Sequence, residues 1–185
     1  MNKPTRELLH AAHRVLQYLH STASYGLRYA RESEFKLVGW SDSDWQVRCS
    51  TSGYVFLMAC AAVSYLSKKQ PTIAMASTQS EIYAASLAGL EATFLVGMGE
   101  QITGRKLAPV DLDTDNKGAF DMAHDFVSNS RVRHYERRAL KIRELVENGL
   151  IKLKQVRTDE NPSDIFTKAL GKRLFEKYRK VLLNM

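Results

Sequence analysis

Cysteine is scarce: only Cys49 and Cys60 occur in 185 residues. They form no C-x-x-C pair and stand in no Cys/His cluster at metal-ligand spacing. That excludes a disulfide framework and a structural zinc site and suits a reducing compartment. No continuous apolar run is long enough to cross a bilayer, and residues 1–7 lack a signal-peptide core. The expectation is a soluble, non-secreted, cytoplasmic chain with no membrane partner. Internal repeats and low-complexity tracts are missing too, so the length points to one domain of ordinary size.

Acidic charge is also in deficit, with 20 Asp and Glu against 27 Lys and Arg, a net charge of +7. A basic surplus favours a polyanionic partner through counterion release, although a solubilising surface of that sign is equally ordinary. The 44% hydrophobic content is enough to fill a single core.

Leu8, Leu9, Ala12, Val15, Leu16 and Leu19 recur at helical spacing behind Pro4, which predicts a helix over residues 4–20. A short strand is expected at 27–29, and the charged break at 31–36 sets a domain boundary. Strands follow at 37–41, running into Asp42, and at 53–59 and 63–66. Their tight connections make an antiparallel meander. Residues 68–71 read as a loop. Ser77, Thr78 and Ser80 are N-cap candidates for a helix that fades near Gly97 and Gly99. Then come a strand at 110–115, helices at 117–124 and 132–147, a strand at 151–156, and a final helix from Pro162 to about residue 183. This order implies a mixed sheet covered by helices.

Four acids fall at element ends: Asp42 and Asp115 after strands, Glu81 in the first turn of the long helix, and Asp164 just behind Pro162. Ligands of open α/β sheets gather beyond the carboxyl ends of strands. Phosphodiester hydrolysis by two divalent ions needs three or four carboxylates to hold them. Taken one at a time, however, Asp42-Ser43 and Asp115-Asn116 are also turn formers, and Glu81 and Asp164 also complement helix dipoles. Spacing leaves both readings open.

The local sequences narrow the choice. Gly39-Trp40-Ser41-Asp42-Ser43-Asp44-Trp45, Ser50-Thr51-Ser52-Gly53-Tyr54, Ser67-Lys68-Lys69-Gln70-Pro71-Thr72 and Ser77-Thr78-Gln79-Ser80-Glu81-Ile82-Tyr83-Ala84 appear in order. Asp115-Asn116-Lys117, Arg133-His134 and Asp164-Ile165-Phe166-Thr167-Lys168-Ala169-Leu170 follow them. This succession resembles the RNase H domain of copia-type (Pseudoviridae) LTR retrotransposon Pol polyproteins over essentially the whole chain. Lys3-Pro4-Thr5 and Val15-Leu16-Gln17-Tyr18-Leu19 are similar to the segment that joins reverse transcriptase to RNase H.

The resemblance implies an α/β, RNase H-like fold with a five-stranded mixed sheet, three antiparallel strands then parallel ones, flanked by helices. Residues 1–34 would be a connector helix and linker from the reverse transcriptase side, and 35–185 the RNase H domain. It further implies metal-dependent endonucleolytic hydrolysis of the RNA strand of an RNA/DNA hybrid, giving 5′-phosphate and 3′-hydroxyl ends. Asp42, Glu81, Asp115 and Asp164 would hold two Mg²⁺ ions, with Mn²⁺ as substitute. Ser77, Thr78 and Asn116 would touch the hybrid, unless they only cap helices. Lys68 and Lys69 would track phosphates, and His134 is the candidate auxiliary residue, because the stretch 157–163 holds no histidine. Asp44 takes a supporting or loop role. The attached reverse transcriptase would be the partner, within a virus-like particle where the element is active.

The chain departs from its relatives in a shorter turn between Trp45 and Ser50 and in Arg133-His134-Tyr135-Glu136, where Lys-His-Ile-Asp is common. Integrases would place their glutamate last, and proofreading-type exonucleases would carry Asp-x-Glu on the first strand. The remaining alternative is a catalytically silent nucleic-acid-binding module dependent on an attached polymerase.

Overall fold

A computed structural model describes residues 4–124 and 136–185, apart from 32 and 47. After helix α1 (Arg6–Ser21) the chain lays down β1 (Val38–Asp44), β2 (Thr51–Met58) and β3 (Ala61–Lys69). Helix α2 (Ser77–Thr103), β4 (Val110–Thr114), α3 (Lys117–His124), α4 (Glu136–Glu147) and β5 (Ile151–Gln155) follow. Two 3-10 turns, Thr158–Glu160 and Pro162–Phe166, lead into α5 (Lys172–Leu183).

The sheet order is β3-β2-β1-β4-β5. The first three strands are antiparallel, while β4 runs parallel to both β1 and β5. This is the five-stranded mixed sheet the sequence leads one to expect. β1 therefore lies at the centre, with one antiparallel and one parallel neighbour.

Apolar residues of the strands point to both faces. On one face Phe56, Leu112, Ile151 and Leu153 pack with Ile82, Ala85, Ala88 and Ala92 of α2 and Ile142 and Leu145 of α4. On the other, Val55, Leu57 and Trp40 meet Leu182 of α5 and Ile165 and Phe166 of the second 3-10 turn. By length and composition alone α2 would pass for a membrane span, contrary to the reading of the bare sequence. Its buried residues instead form the central contact with the sheet.

Several expected boundaries move. α2 does not fade at Gly97 or Gly99 but runs on to Thr103. Gly99 is there for close packing, since a Cβ on it would stand 2.4 Å from Leu107 Cδ1. The expected caps are also wrong: Ala76 precedes α2, and no side chain caps it. Lys68 and Lys69 belong to β3, paired with Ser52 and Thr51, rather than to a loop. Residues 27–29 form no strand, yet they are tied down. Arg28 N–H donates to Leu183 O (3.1 Å), Ala30 N–H to Ala59 O (2.9 Å) and Tyr29 Oη to Ala62 O (2.8 Å). The final helix is two pieces, because the chain breaks at residues 167–171 to bring Thr167 back onto β1.

Candidate active site

Alternation along β1 sends consecutive side chains to opposite faces of the sheet. Ser43 Oγ donates to Ser80 Oγ of α2 (2.7 Å), whereas the carboxylate of Asp42 accepts from the hydroxyl of Thr167 on the other side. β1 and β4 are parallel neighbours with Ser41 opposite Thr114, so Asp42 and Asp115 come next in register at the same carboxyl end. Glu81, in the first turns of α2, reaches the same place from above the sheet. One carboxylate oxygen from each of Asp42, Glu81 and Asp115 lies within 4.8 Å of the others. Asp164 joins differently. Lys168 Nζ lies 2.9 Å from Asp164 Oδ1 and 3.8 Å from Asp42 Oδ2. Three of the four acids thus converge directly, and the fourth meets Asp42 both side chain to side chain and through a shared ammonium group.

Buried amides hold this arrangement, and sequence reading missed them. Asn161 is fully buried; its Nδ2 donates to Ser41 O (3.0 Å), and its Oδ1 accepts from Ser163 N–H (3.2 Å) and Ser163 Oγ (2.5 Å). The turn carrying Asp164 is thereby pinned to the strand residue before Asp42. Asn before Pro162 is a capping signal that could have flagged it. Gly53, paired with Asp42, lets the turn approach: a Cβ there would stand 2.7 Å from Thr167 Cγ2 and 3.2 Å from Ser163 O. Gln70 Nε2 donates to Ser52 Oγ and to Ser80 O, both at 2.9 Å, tying the start of α2 to β2.

Crowding buried carboxylates raises their pKa values, because burial penalises the charged form and neighbouring charges repel. Burial, then the charges of Asp42 and Asp115, push Glu81 up to about 9. Burial also raises Asp42, against the Thr167 hydroxyl and the Lys168 charge that favour its ionised form. Asp164 is pushed up to about 6 by burial, opposed by its contact with Lys168. That contact is an ion pair rather than an aligned hydrogen bond, since Asp164 Oδ1 has no hydrogen-bond partner. Glu81 Oε2 is likewise buried without one. A cluster of oxygen-only donors in which Glu81 Oε2 is buried and unsatisfied fits a hard divalent cation such as Mg²⁺ or Mn²⁺.

The expected substrate-contact residues are less gathered. Thr78 and Asn116 flank Gly118, where a Cβ would meet Thr78 Oγ1 at 2.9 Å and Asn116 Oδ1 at 3.1 Å. Asn116 has a capping role, its Oδ1 accepting from Ala119 N–H (2.9 Å). Ser77 is exposed, and its carbonyl accepts from Ser80 Oγ. Lys68 and Lys69 are exposed beside Tyr54 and Tyr83 in a cavity of about 300 Å³. Asp44 stays outside the cluster and accepts from Gln46 Nε2 (2.5 Å). His134 lies outside the described residues, as do Arg131 and Arg133.

No family model matches the chain. Secreted RxLR effector protein 161 of Plasmopara viticola is 49% identical over 89 residues, 46% of this chain and 63% of the effector. Retrovirus-related Pol polyproteins from transposon RE1 of Arabidopsis thaliana and transposon TNT 1-94 of Nicotiana tabacum are each 28% identical, over 96% and 95% of this chain. The chain spans only 12% and 13% of those polyproteins. Among solved structures, the N-terminal RNase H domain of a Mycobacterium tuberculosis protein superposes with a TM-score of 0.56 at 11% identity, over 80% of this chain and 98% of that one. LC11-RNase H1 in complex with RNA/DNA hybrid gives 0.54 at 11% identity, over 71% of this chain and 93% of that one. The fold is therefore that of the RNases H. Along nearly its whole length the chain is a homologue of retrovirus-related Pol polyproteins of plant transposons.

Proposed function

We propose that this domain hydrolyses the RNA strand of RNA/DNA hybrids, using divalent metal ions held by Asp42, Glu81, Asp115 and Asp164, in the service of retrotransposon reverse transcription. The observation that carries the reading is the convergence of Asp42, Glu81 and Asp115 from three separate elements, with ligand oxygens within 4.8 Å. LC11-RNase H1, of the same fold, was solved bound to such a hybrid. The reverse transcriptase region of a Pol polyprotein is the natural partner, in the cytoplasm and within a virus-like particle where the element is active.

Bound divalent ions would supply Lewis acidity, activating water and neutralising charge on the phosphate; Mg²⁺ is the expected ion and Mn²⁺ its substitute. The chain's own groups divide the remaining work. Asp42 is common to both groupings, sharing the carboxylate cluster with Glu81 and Asp115 and the Lys168 ammonium with Asp164. Gln70 and Asn161 keep the start of α2 and the Asp164 turn in place, so the carboxylates need no reorganisation when ions arrive. Ser77 and Thr78, at the start of α2, and Asn116 face the backbone of the hybrid, and Lys68 and Lys69 track phosphates.

Incubation with labelled hybrid in Mg²⁺ should give 5′-phosphate and 3′-hydroxyl ends, and EDTA should stop the reaction. Asp42→Asn, which keeps shape but removes charge, should reduce hydrolysis to background while leaving the fold intact. Cyclic phosphate products, or wild-type rates from that variant, would refute the mechanism. Hybrid binding without any cleavage in Mg²⁺ or Mn²⁺ would instead establish a silent binding module.

A further inference from the structure

The turn after Asp164 delivers a cation into the site from the protein itself. Lys168 follows Asp164 by four residues, and its N–H donates to Asp164 O at 3.1 Å, which folds the side chain back over the carboxylate. Its ammonium lies 2.9 Å from Asp164 Oδ1 and 3.8 Å from Asp42 Oδ2, while Thr167 donates its hydroxyl to that same Asp42 oxygen. Both carboxylate side chains are nearly fully buried, at 2–3% exposure, but the lysine side chain is 36% exposed. The charge therefore enters from the solvent side and has an open way back. The other half of the site differs: Glu81 Oε2 is buried with no hydrogen-bond partner.

Two buried carboxylates held close together repel unless a cation stands between them. A lysine suits a removable cation, being a compact charge on a flexible stem. We propose that Lys168 is the resident cation of the Asp42–Asp164 half of the site, holding those two carboxylates together until it withdraws to admit a second divalent ion. The inference rests on the reading of the four carboxylates as an ion site. It makes ion binding sequential: the Asp42–Glu81–Asp115 half fills first, and the second ion competes with an ammonium group already in place. Lys168 is in this sense a positioning residue.

Calorimetric titration of the intact chain with Mn²⁺ tests this without reference to activity. The wild type should show one binding event and a second, clearly weaker one. Lys168→Met should tighten the second event by on the order of tenfold or more, because the competing charge is gone, and lower the melting temperature in EDTA. Lys168→Arg, which keeps the charge, should follow the wild type in both respects. If Lys168→Met fails to fold, Lys168→Gln reads the same quantity with an N–H donor retained. Unchanged affinity for the second ion in the neutral variants would overturn the proposal while leaving the ion site standing. Absence of any Mn²⁺ binding by the wild type would overturn both.

Discussion

Replacing Glu81 with glutamine should stabilise the metal-free protein while destroying the site. Glu81 is pushed from its ordinary 4.5 up to about 9 in the folded chain, by burial first and then by Asp42 and Asp115. Between those two values the folded protein keeps a proton that the unfolded chain releases. Stability is therefore full below about pH 4.5 and falls as pH rises towards 9, by about 1.4 kcal/mol for each pH unit. The deficit reaches about 3 kcal/mol at pH 7 and about 6 kcal/mol near pH 9. Glutamine has nearly the same shape and never ionises, so Glu81→Gln escapes the whole cost. At pH 7 in EDTA its melting temperature should exceed the wild type's by about 6–12 °C for a chain of this size. The gap should close towards pH 4.5 and widen towards pH 9. Saturating Mg²⁺ should shrink or reverse it, since bound ions stabilise only a protein that can hold them. Thermal unfolding in EDTA from pH 5 to 9 measures all of this. A difference that does not change with pH would refute the electrostatic account of the site.

Asn161→Ala strands the buried Ser41 carbonyl and the donors of Ser163; it should cost about 1–3 kcal/mol in denaturant unfolding, and it should weaken ion binding, which a loss of stability alone would not do. Gly53→Ala drives a methyl group to 2.7 Å from Thr167 Cγ2; a loss of about 1–3 kcal/mol with reduced hydrolysis is expected, and wild-type stability would show that the turn is not packed this tightly. Helix α1 buries none of its residues and leaves Leu8, Leu9, Val15, Leu16 and Leu19 exposed; we propose that it is a connector, so deletion through residue 24 should reduce self-association seen by light scattering and barely change the melting temperature. Deletion through residue 30 removes in addition the ties of Arg28, Tyr29 and Ala30 to Leu183, Ala62 and Ala59, and should cost about 0.5–1.5 kcal/mol for each hydrogen bond lost; equal stability of the two truncations would put the boundary later in the chain.

What the sequence makes legible here is what obeys a local rule. The strands show their periodicity, and parallel register carries Asp42 and Asp115 to one edge once β1 and β4 are neighbours. Glu81 stands in the first turns of a helix whose apolar residues are plain to read. Contacts that close across the chain are not legible in this way. Asn161 holds Ser41 from 120 residues away, and Thr167 reaches Asp42 from 125. Gly99 looks like a helix breaker because Leu107, which needs the space, is invisible in the local window. Ser80 looks like a cap, but its hydroxyl is engaged with Ser77 O and Ser43. The pair Asp164 and Lys168 shows the difference most directly. Read as part of one long helix, a spacing of four is an ordinary surface ion pair worth a few tenths of a kcal/mol. Because the helix breaks at residues 167–171 and the turn packs onto Gly53, the same spacing carries an ammonium group into a buried acidic site. Gly171, the N-cap of α5, marks the end of that break locally, but the turn itself is held by the hydroxyl of Thr167 on Asp42 and the amide of Asn161 on Ser41.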